Sequence, residues 1–563
     1  MPKKIKSKKK KKSINFWQWL NDNILLILSG FLIAFIPLYP KIPLFDALPG
    51  YIVRVRLEDV LVAITALIWL IKTIKNKTEW RTAISTTMLF YFAVAALSVI
   101  SGLLFIKTIP LEPIHFGKSF LHFVRYVEYF SLFLISFSAI KSKKDFNILA
   151  AVFIGTIIAI SAYGVGQKYY YWPVYSTMNR EFSKGMRLVL TEHARVQSTF
   201  GGHYDMSAFL VIALIFAYTM TDHQKTKIKR LVFRLTHLFG LWLLVVGASR
   251  TSFFAYVVGV FMSIILTTIK RNKGRKDLFF IKKSFSFGFI VFLMMLIFGR
   301  DLEERIMQVI NSNDDIKITY HYINNERMRI TRNFFVFLGL KEPKRPDNAV
   351  DYNGVMVSSD ERPKPVDVYN DDPISVAIAS TSASGETIYT IVQKEPVWSE
   401  CALTPGKSLS LCIRLDELWP NAIKGFLKNP LVGSSYATLN KKSFYHFTEA
   451  ESTDNNFLRT LGETGALGFI TFYGTIAIAL IISWQFYVKG DKELQAVSIA
   501  FMTSSVGLLI NALYIDVFAA SKVAFTYWAY TGMIMGLFYL KKNKKIISKS
   551  LTLKKINNLV KIK

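Results

Sequence analysis

The sequence predicts an all-α polytopic membrane protein with about twelve transmembrane helices. Both termini are expected in the cytoplasm, and one large extracytoplasmic loop domain is expected to hold some β and irregular structure. Three observations lead there. The 563 residues are 52% hydrophobic with a mean hydropathy of +0.30. About twelve apolar stretches between Ile24 and Leu540 approach the length that crosses a bilayer. Every second polar interval is loaded with lysine and arginine, which the positive-inside rule assigns to the cytoplasm.

The expected spans are Ile24–Pro40, Leu57–Ile71, Ala83–Phe105, Phe120–Ile140, Phe146–Gly166, Met206–Met220, Leu231–Gly247, Thr251–Ile269, Phe285–Phe298, Ala466–Tyr487, Gln495–Tyr514 and Ala524–Leu540. The sixth and ninth are short enough for a tilted or re-entrant path. This divides the chain into a Lys-rich tail at 1–23, nine helices over 24–299 with an outer loop at 167–205, a large outer loop at 300–465, three helices over 466–540, and a second Lys-rich tail at 541–563. No small-residue cleavage site follows the first apolar stretch, so it reads as a retained span. The net charge of +31 would suggest nucleic acid in a soluble domain. Here 38 of the 70 lysines and arginines fall in the seven cytoplasmic intervals, as topology and anionic lipid headgroups require, so no nucleic-acid partner is expected.

The outer intervals hold most of the residues able to do chemistry. The stretch about Lys341 to Ser384 is rich in Pro, Asp, Asn and Ser and reads as an irregular insertion. Cys401 and Cys412, the only cysteines, flank Pro405-Gly406; with the alternation in SLSLCIRL they suggest a disulfide-closed hairpin, the alternative being two free thiols. After them Leu415, Leu418, Trp419, Ala422 and Phe426 recur at helical spacing until Pro430 and Gly433, which predicts an amphipathic outer helix.

Arg250 sits in LVVGASRTSFFAYVVG between two apolar spans with no loop to relax into. A guanidinium there is costly unless it reaches water, headgroups, a counter-ion or a ligand, and its planar fork suits a phosphate or diphosphate. Arg195 precedes a span on the same side, beside Ser198, Thr199 and the Gly201-Gly202 pair, and a plain solvated arginine is the alternative. Asp454 and Asn455 lead into the tenth span. A carboxylate there can act as general base, or Asp454 can simply cap the helix; Gly465 lets the chain turn into the membrane. His446 and Glu449 are rival bases. Arg125 and Glu128 share a helix face and are expected to pair. Asn511 and Asp516 are weaker candidates, and Arg414 opens the amphipathic segment. No P-loop, GxGxxG or clustered metal-ligand spacing is present, so neither a metal nor a cofactor is expected.

Four segments in order resemble the O-antigen ligase and O-antigen polymerase family of bacterial membrane glycosyltransferases, which build envelope polysaccharide. RVQSTFGGHYDMSAFL looks like the family's Arg-led segment before a span, and VVGASRTSFFAY like its Ser-Arg motif. RLDELWPNAIKGFLKNPLVGSSY looks like its Arg, Trp, Pro-Leu-x-Gly outer helix, and DNNFLRTLGETGALGF like its segment ending in Glu-x-Gly-x-x-Gly. The resemblance covers about Gly166 to Phe469. It implies metal-independent glycosyl transfer at the outer face of the bacterial cytoplasmic membrane, from a glycan on a polyprenyl diphosphate to a glycan, lipid or protein acceptor. It further implies that Arg195 and Arg250 hold the diphosphate, with Asp454 as the catalytic base and Asn455, His446, Arg125 and Arg414 around the substrate. The ligase branch usually has His-Asn where this chain has Asp454-Asn455, a departure that tilts toward a polymerase-like or divergent member. A transporter or flippase of lipid-linked oligosaccharide is the alternative. Against it, no half-chain repeat is visible and the polar motifs cluster at one face. A purely structural or sensing role ranks last.

Overall fold

Helices dominate the computed structural model, which describes residues 16–48, 53–76, 80–178, 180–190, 194–271, 276–303, four short strands between 349 and 393, and 409–439 and 452–560, with side chains to 542. In chain order the helices are α1 (Phe16–Leu38), α2 (Leu57–Asn76), α3 (Ala83–Leu104), α4 (Pro113–Ala139), α5 (Lys143–Tyr170), α6 (His203–Thr221), α7 (Lys227–Val246), α8 (Arg250–Ile269), α9 (Lys276–Phe298), α10 (Trp419–Lys428), α11 (Asn456–Lys489), α12 (Lys492–Asn511) and α13 (Ser521–Val560). Each expected span falls on one of these helices, α10 being the extra outer one. Among the described residues ten are long and apolar enough to cross a membrane. The two that fall short are α2, with Glu58, Asp59, Lys72 and Lys75 at its ends, and α7, which opens on Lys227, Lys229, Arg230 and Arg234.

The bundle has a centre and a rim. The apolar windows of α6, α12 and α13 are 83%, 72% and 89% buried, so these three helices form the core, whereas α9 at 6% faces outward. Around the core α13 packs on α4, α11 on α3, α12 on α6 and α8, and α1 on α5. Lipid gives helices no hydrophobic reason to associate, so small residues that admit close packing carry the contacts. Gly532 and Gly536 repeat at the spacing that stacks one helix turn over the next. A Cβ on Gly532 would strike the Phe133 carbonyl, and one on Gly536 would lie 2.9 Å from the Phe137 carbonyl.

Ion pairs and lysine contacts segregate to the two ends of the bundle. At the end with the lysine-rich intervals, Lys143 pairs with Glu493, Lys541 with Asp491 and Lys283 with Asp222, and Lys72 donates to the Asn21 carbonyl. At the other end Lys522 is fully buried and donates to the carbonyls of Pro37 (3.1 Å), Tyr39 (2.5 Å) and Thr199 (2.7 Å), tying α1, the loop before α6 and α13 together. At this end a hairpin of β1 (Pro43–Asp46) and β2 (Arg54–Arg56) links α1 to α2, with Asp46 opposite Arg54.

Two expectations are corrected. The segment expected to be irregular contains strands β4 (Ala349–Tyr352), β5 (Val355–Ser358) and β6 (Ser375–Thr381), and β7 (Thr387–Gln393) follows it; the β structure expected somewhere in the large loop thus extends into this stretch. β6 and β7 pair antiparallel, and the short β3 (Val189–Leu190) joins β5 and β4 in a second sheet. The β-branched residues of SVAIAST and TIYTIVQ outweigh the polar composition around them. The supposed strand SLSLCIRL is instead helical: Leu409–Ile413 is an α-helical turn and Arg414–Leu418 a π-helical one, leading directly into α10. Cys412 on that turn is buried and disulfide-bonded. The sequence's other cysteine, Cys401, lies outside the described residues.

Gly532→Leu should lower the thermal unfolding midpoint in detergent by several degrees, the overpacking costing about 2 kcal/mol. Gly155→Leu, where a Cβ meets nothing within 4 Å, should leave it unchanged. Equal effects of the two would contradict the close α4–α13 contact.

Candidate functional site

The loop into α11 is shaped by a buried acid. Asp516, in the turn between α12 and α13, accepts the backbone N–H groups of Thr453 (2.9 Å) and Asn455 (3.1 Å) and the Ser452 hydroxyl (2.8 Å), and pairs with Arg459 at 3.0 Å. Four donors on one carboxylate fix the chain on both sides of Asp454, which adopts a left-handed φ of 49°. Asp454 is therefore not the helix cap. That role belongs to Asn455, whose side chain accepts from the N–H groups of Phe457 and Leu458, both at 3.0 Å. Released from capping, the half-exposed Asp454 carboxylate meets Arg414 at 2.8 Å and the Ser452 hydroxyl at 2.9 Å.

Arg459 also reaches Glu463, 3.4 Å away, and Glu463 accepts the Ala437 N–H at 3.2 Å. This locks the segment after α10 onto the outer half of α11. The Ser434 and Ser435 N–H groups bond to the carbonyls of Gly462 and Glu463, both at 2.9 Å, and the Ala466 N–H to that of Pro430 at 2.9 Å. Such intimacy requires glycine at position 465, where φ is 66° and a Cβ would strike the Leu431 carbonyl. The expected turn at Gly465 is thus a sharp break inside α11. As expected, α10 stops before Pro430. Its Ala422 and Gly425 are buried, while Ile423 and Leu427 stay exposed.

A belt of hydrogen bonds joins this loop to the two motif arginines. The Asn456 N–H bonds to the Ala512 carbonyl at 2.8 Å, and the neighbouring Asn511 donates to the Ser252 hydroxyl at 3.0 Å. Ser252 lies in the first turn of α8, which begins at Arg250, and accepts the Ser249 hydroxyl at 2.9 Å. Ala248 turns the chain there with a φ of 48°. Two residues earlier the Val246 carbonyl accepts the Val196 N–H at 3.4 Å, which brings in Arg195. Both arginines are half-buried. Arg195 donates to His203 Nε2 and, at 3.2 Å, to the Tyr204 hydroxyl, whose ring it covers at 5.6 Å. Arg195, Arg250, Asp454, Asn455 and Arg414 are thereby gathered at one end of the bundle.

Arg125 belongs to a neighbouring cluster. It pairs chiefly with Asp59 at 2.8 Å, and the expected partner Glu128 stands farther off at 3.7 Å. It lines a cavity of about 250 Å³ together with Lys41, Arg54, Arg56, His122 and Arg459. Burial pulls the Lys41 ammonium below the usual lysine range, and Asp205, 3.2 Å away, opposes that shift. His446 and Glu449 lie outside the described residues. Sequence reasoning passed over Lys41, Arg54, Arg56, Arg459 and Lys522. For Arg459 a signal existed, its i, i+4 spacing to Glu463 inside DNNFLRTLGETG; Arg54 meets Asp46 across a short hairpin, whereas Lys41 and Lys522 are defined by partners far away in the chain.

No protein-family model matches the chain, and no curated protein matches it. The site must be judged on its own geometry. That geometry combines two half-buried guanidiniums, a half-exposed carboxylate and a buried hydrogen-bonded network behind them.

Asp516→Ala should cost about 3 kcal/mol of stability because it strands buried donors and the Arg459 charge. Asp454→Ala should cost about 1 kcal/mol or less, its carboxylate being half-exposed. Denaturant or thermal unfolding of the two variants checks this, and equal costs would remove Asp516 as the anchor.

Proposed function

We propose that this protein is a membrane glycosyltransferase of the O-antigen ligase and polymerase kind, acting on a polyprenyl-diphosphate-linked glycan at the extracytoplasmic face of a bacterial cytoplasmic membrane. The observation that carries this is the hydrogen-bonded belt joining the Arg195, Arg250 and Asp454 segments at the end of the bundle opposite the lysine-rich intervals. By the positive-inside rule that end is the outer one, with twelve spans and both termini inside.

In the reaction, an acceptor hydroxyl oxygen attacks the anomeric carbon of the donor glycan while Asp454 takes its proton. The bond from that carbon to the diphosphate oxygen breaks, and the lipid diphosphate leaves with the electron pair. Arg195 and Arg250 stabilise the charge growing on it, where guanidiniums serve without a metal ion. Asp454 meets Ser452 at one oxygen and Arg414 at the other, and its carboxylate is half-exposed on the side where a hydroxyl can approach. Arg414 holds the carboxylate in place, and Asn455 starts the helix beneath it. The acceptor, whether another lipid-linked glycan or an anchored molecule, decides between polymerase and ligase.

Arg195→Ala, Arg250→Ala and Asp454→Asn should each reduce product formation at least 100-fold at normal protein level, as expected for losing oxyanion stabilisation or a general base. His446→Ala should cost less than Asp454→Asn. Full activity of either arginine variant would remove the diphosphate clamp, and the reverse order of the last two would move the base upstream. In cells lacking the protein, single repeat units left on the lipid indicate a polymerase, and long chains held there a ligase. Loss of outward-facing lipid-linked glycan at unchanged length would point to the flippase.

A further inference from the structure

Five cations line the 250 Å³ cavity beside the rim: Lys41, Arg54, Arg56, Arg125 and Arg459. No carboxylate is among its lining residues. The acids beside these groups are not among the lining residues: Asp205 pairs with Lys41 at 3.2 Å, Asp46 with Arg54 at 2.7 Å, Asp59 with Arg125 at 2.8 Å and Asp516 with Arg459 at 3.0 Å, and the buried Glu58 acts on Arg56. The charged groups on the cavity wall itself are therefore cations. A cage of this kind is preorganised, because its cations do not move to meet a ligand.

The cage is also under-satisfied. Arg54 is only 4% exposed, yet its Nη1 has no hydrogen-bond partner, and neither has Nε of Arg56. These two donors are sealed from the cavity, so they place positive charge behind its wall without offering a hydrogen bond to a ligand. At about 250 Å³ the cavity has room for one sugar or a compact phosphate group. Tyr126, Tyr129 and Tyr436 also line it, their rings packed on one another.

We propose that this cavity binds one acidic residue of the glycan, a sugar bearing a carboxylate or phosphate, separately from the lipid diphosphate held at the Arg195 and Arg250 rim. Arg459 is the shared wall: it faces the cavity and, through Asp516, holds the loop that carries Asp454. An acidic sugar bound here lies beside the reacting rim and sets which glycan is accepted. That the anion is carried by a glycan rests on the function proposed above; the existence of an anion site does not.

The test is direct binding to the full-length protein in nanodiscs of zwitterionic lipid, titrated with glucuronic acid, glucose 1-phosphate, glucose and inorganic pyrophosphate. Glucuronic acid and glucose 1-phosphate should bind and glucose should not. Arg56→Gln should weaken both at least tenfold, and Arg250→Ala should leave both unchanged. Leu121→Trp, which fills the cavity without altering charge, should also abolish binding and guards against a folding artefact in the arginine variant. The proposal is overturned if no acidic sugar binds, if binding survives Arg56→Gln and Leu121→Trp, or if only pyrophosphate binds and Arg250→Ala removes it. Loss of sugar binding in nanodiscs containing anionic lipid would assign the cavity to headgroups instead, and would also overturn it. None of these readings requires turnover, so an inactive enzyme that still binds would refute the proposed function and not this site.

Discussion

A carboxylate buried at the end of a lipid-embedded bundle must find donors within the protein, and Asp516 finds four. From that requirement most of the outer architecture follows. Its bonds to Ser452, Thr453 and Asn455 fix how the chain enters α11, so Asn455 becomes the cap and Asp454 is left outside the helix. Its ion pair with Arg459 reaches Glu463, and Glu463 in turn seats the segment after α10. Breaking this group would strand a buried charge and several backbone donors together, a loss far larger than that of any exposed pair on the same surface.

Two cationic sites share this anchor. On one side of Arg459 lies the rim with Asp454, Arg414 and, through Asn511 and Ser252, the start of α8 at Arg250. On the other lies the cavity framed by the β1–β2 hairpin and α4. Lys522 braces both by binding carbonyls at the end of α1 and in the loop before α6. The polar groups thus form a layer at the end of the bundle away from the lysine-rich intervals, beside the apolar core of α6, α12 and α13. Rigidity suits the glycosyl transfer proposed above, because electrostatic stabilisation acts best when the dipoles do not reorganise.

Hydropathy made the spans legible, since a bilayer imposes one length and one composition on every crossing. It also counted α2 and α7 as spans, which charges at the ends of the helices keep below the apolarity of the other ten. Motif reading singled out Arg195, Arg250 and Asp454, and took Asp454 as a possible cap because Asp and Asn are near-equal in that role; the bonds to Asp516 decide between them. The alternation in SLSLCIRL looked like a strand, yet six or eight residues cannot separate the two periods when a helix follows directly. Arg54, Arg56 and Lys41 were hidden for another reason. Asp46 reaches Arg54 only once the β1–β2 hairpin has formed, Asp205 and Tyr436 arrive from far along the chain, and no motif records either.

The most direct measurement is the stoichiometry of the purified protein in nanodiscs supplied with an oligosaccharide on polyprenyl diphosphate. Glycosyl transfer predicts one free polyprenyl diphosphate for each new glycosidic bond, with no nucleotide consumed. Donor recovered intact, or merely moved to the opposite leaflet, would contradict it.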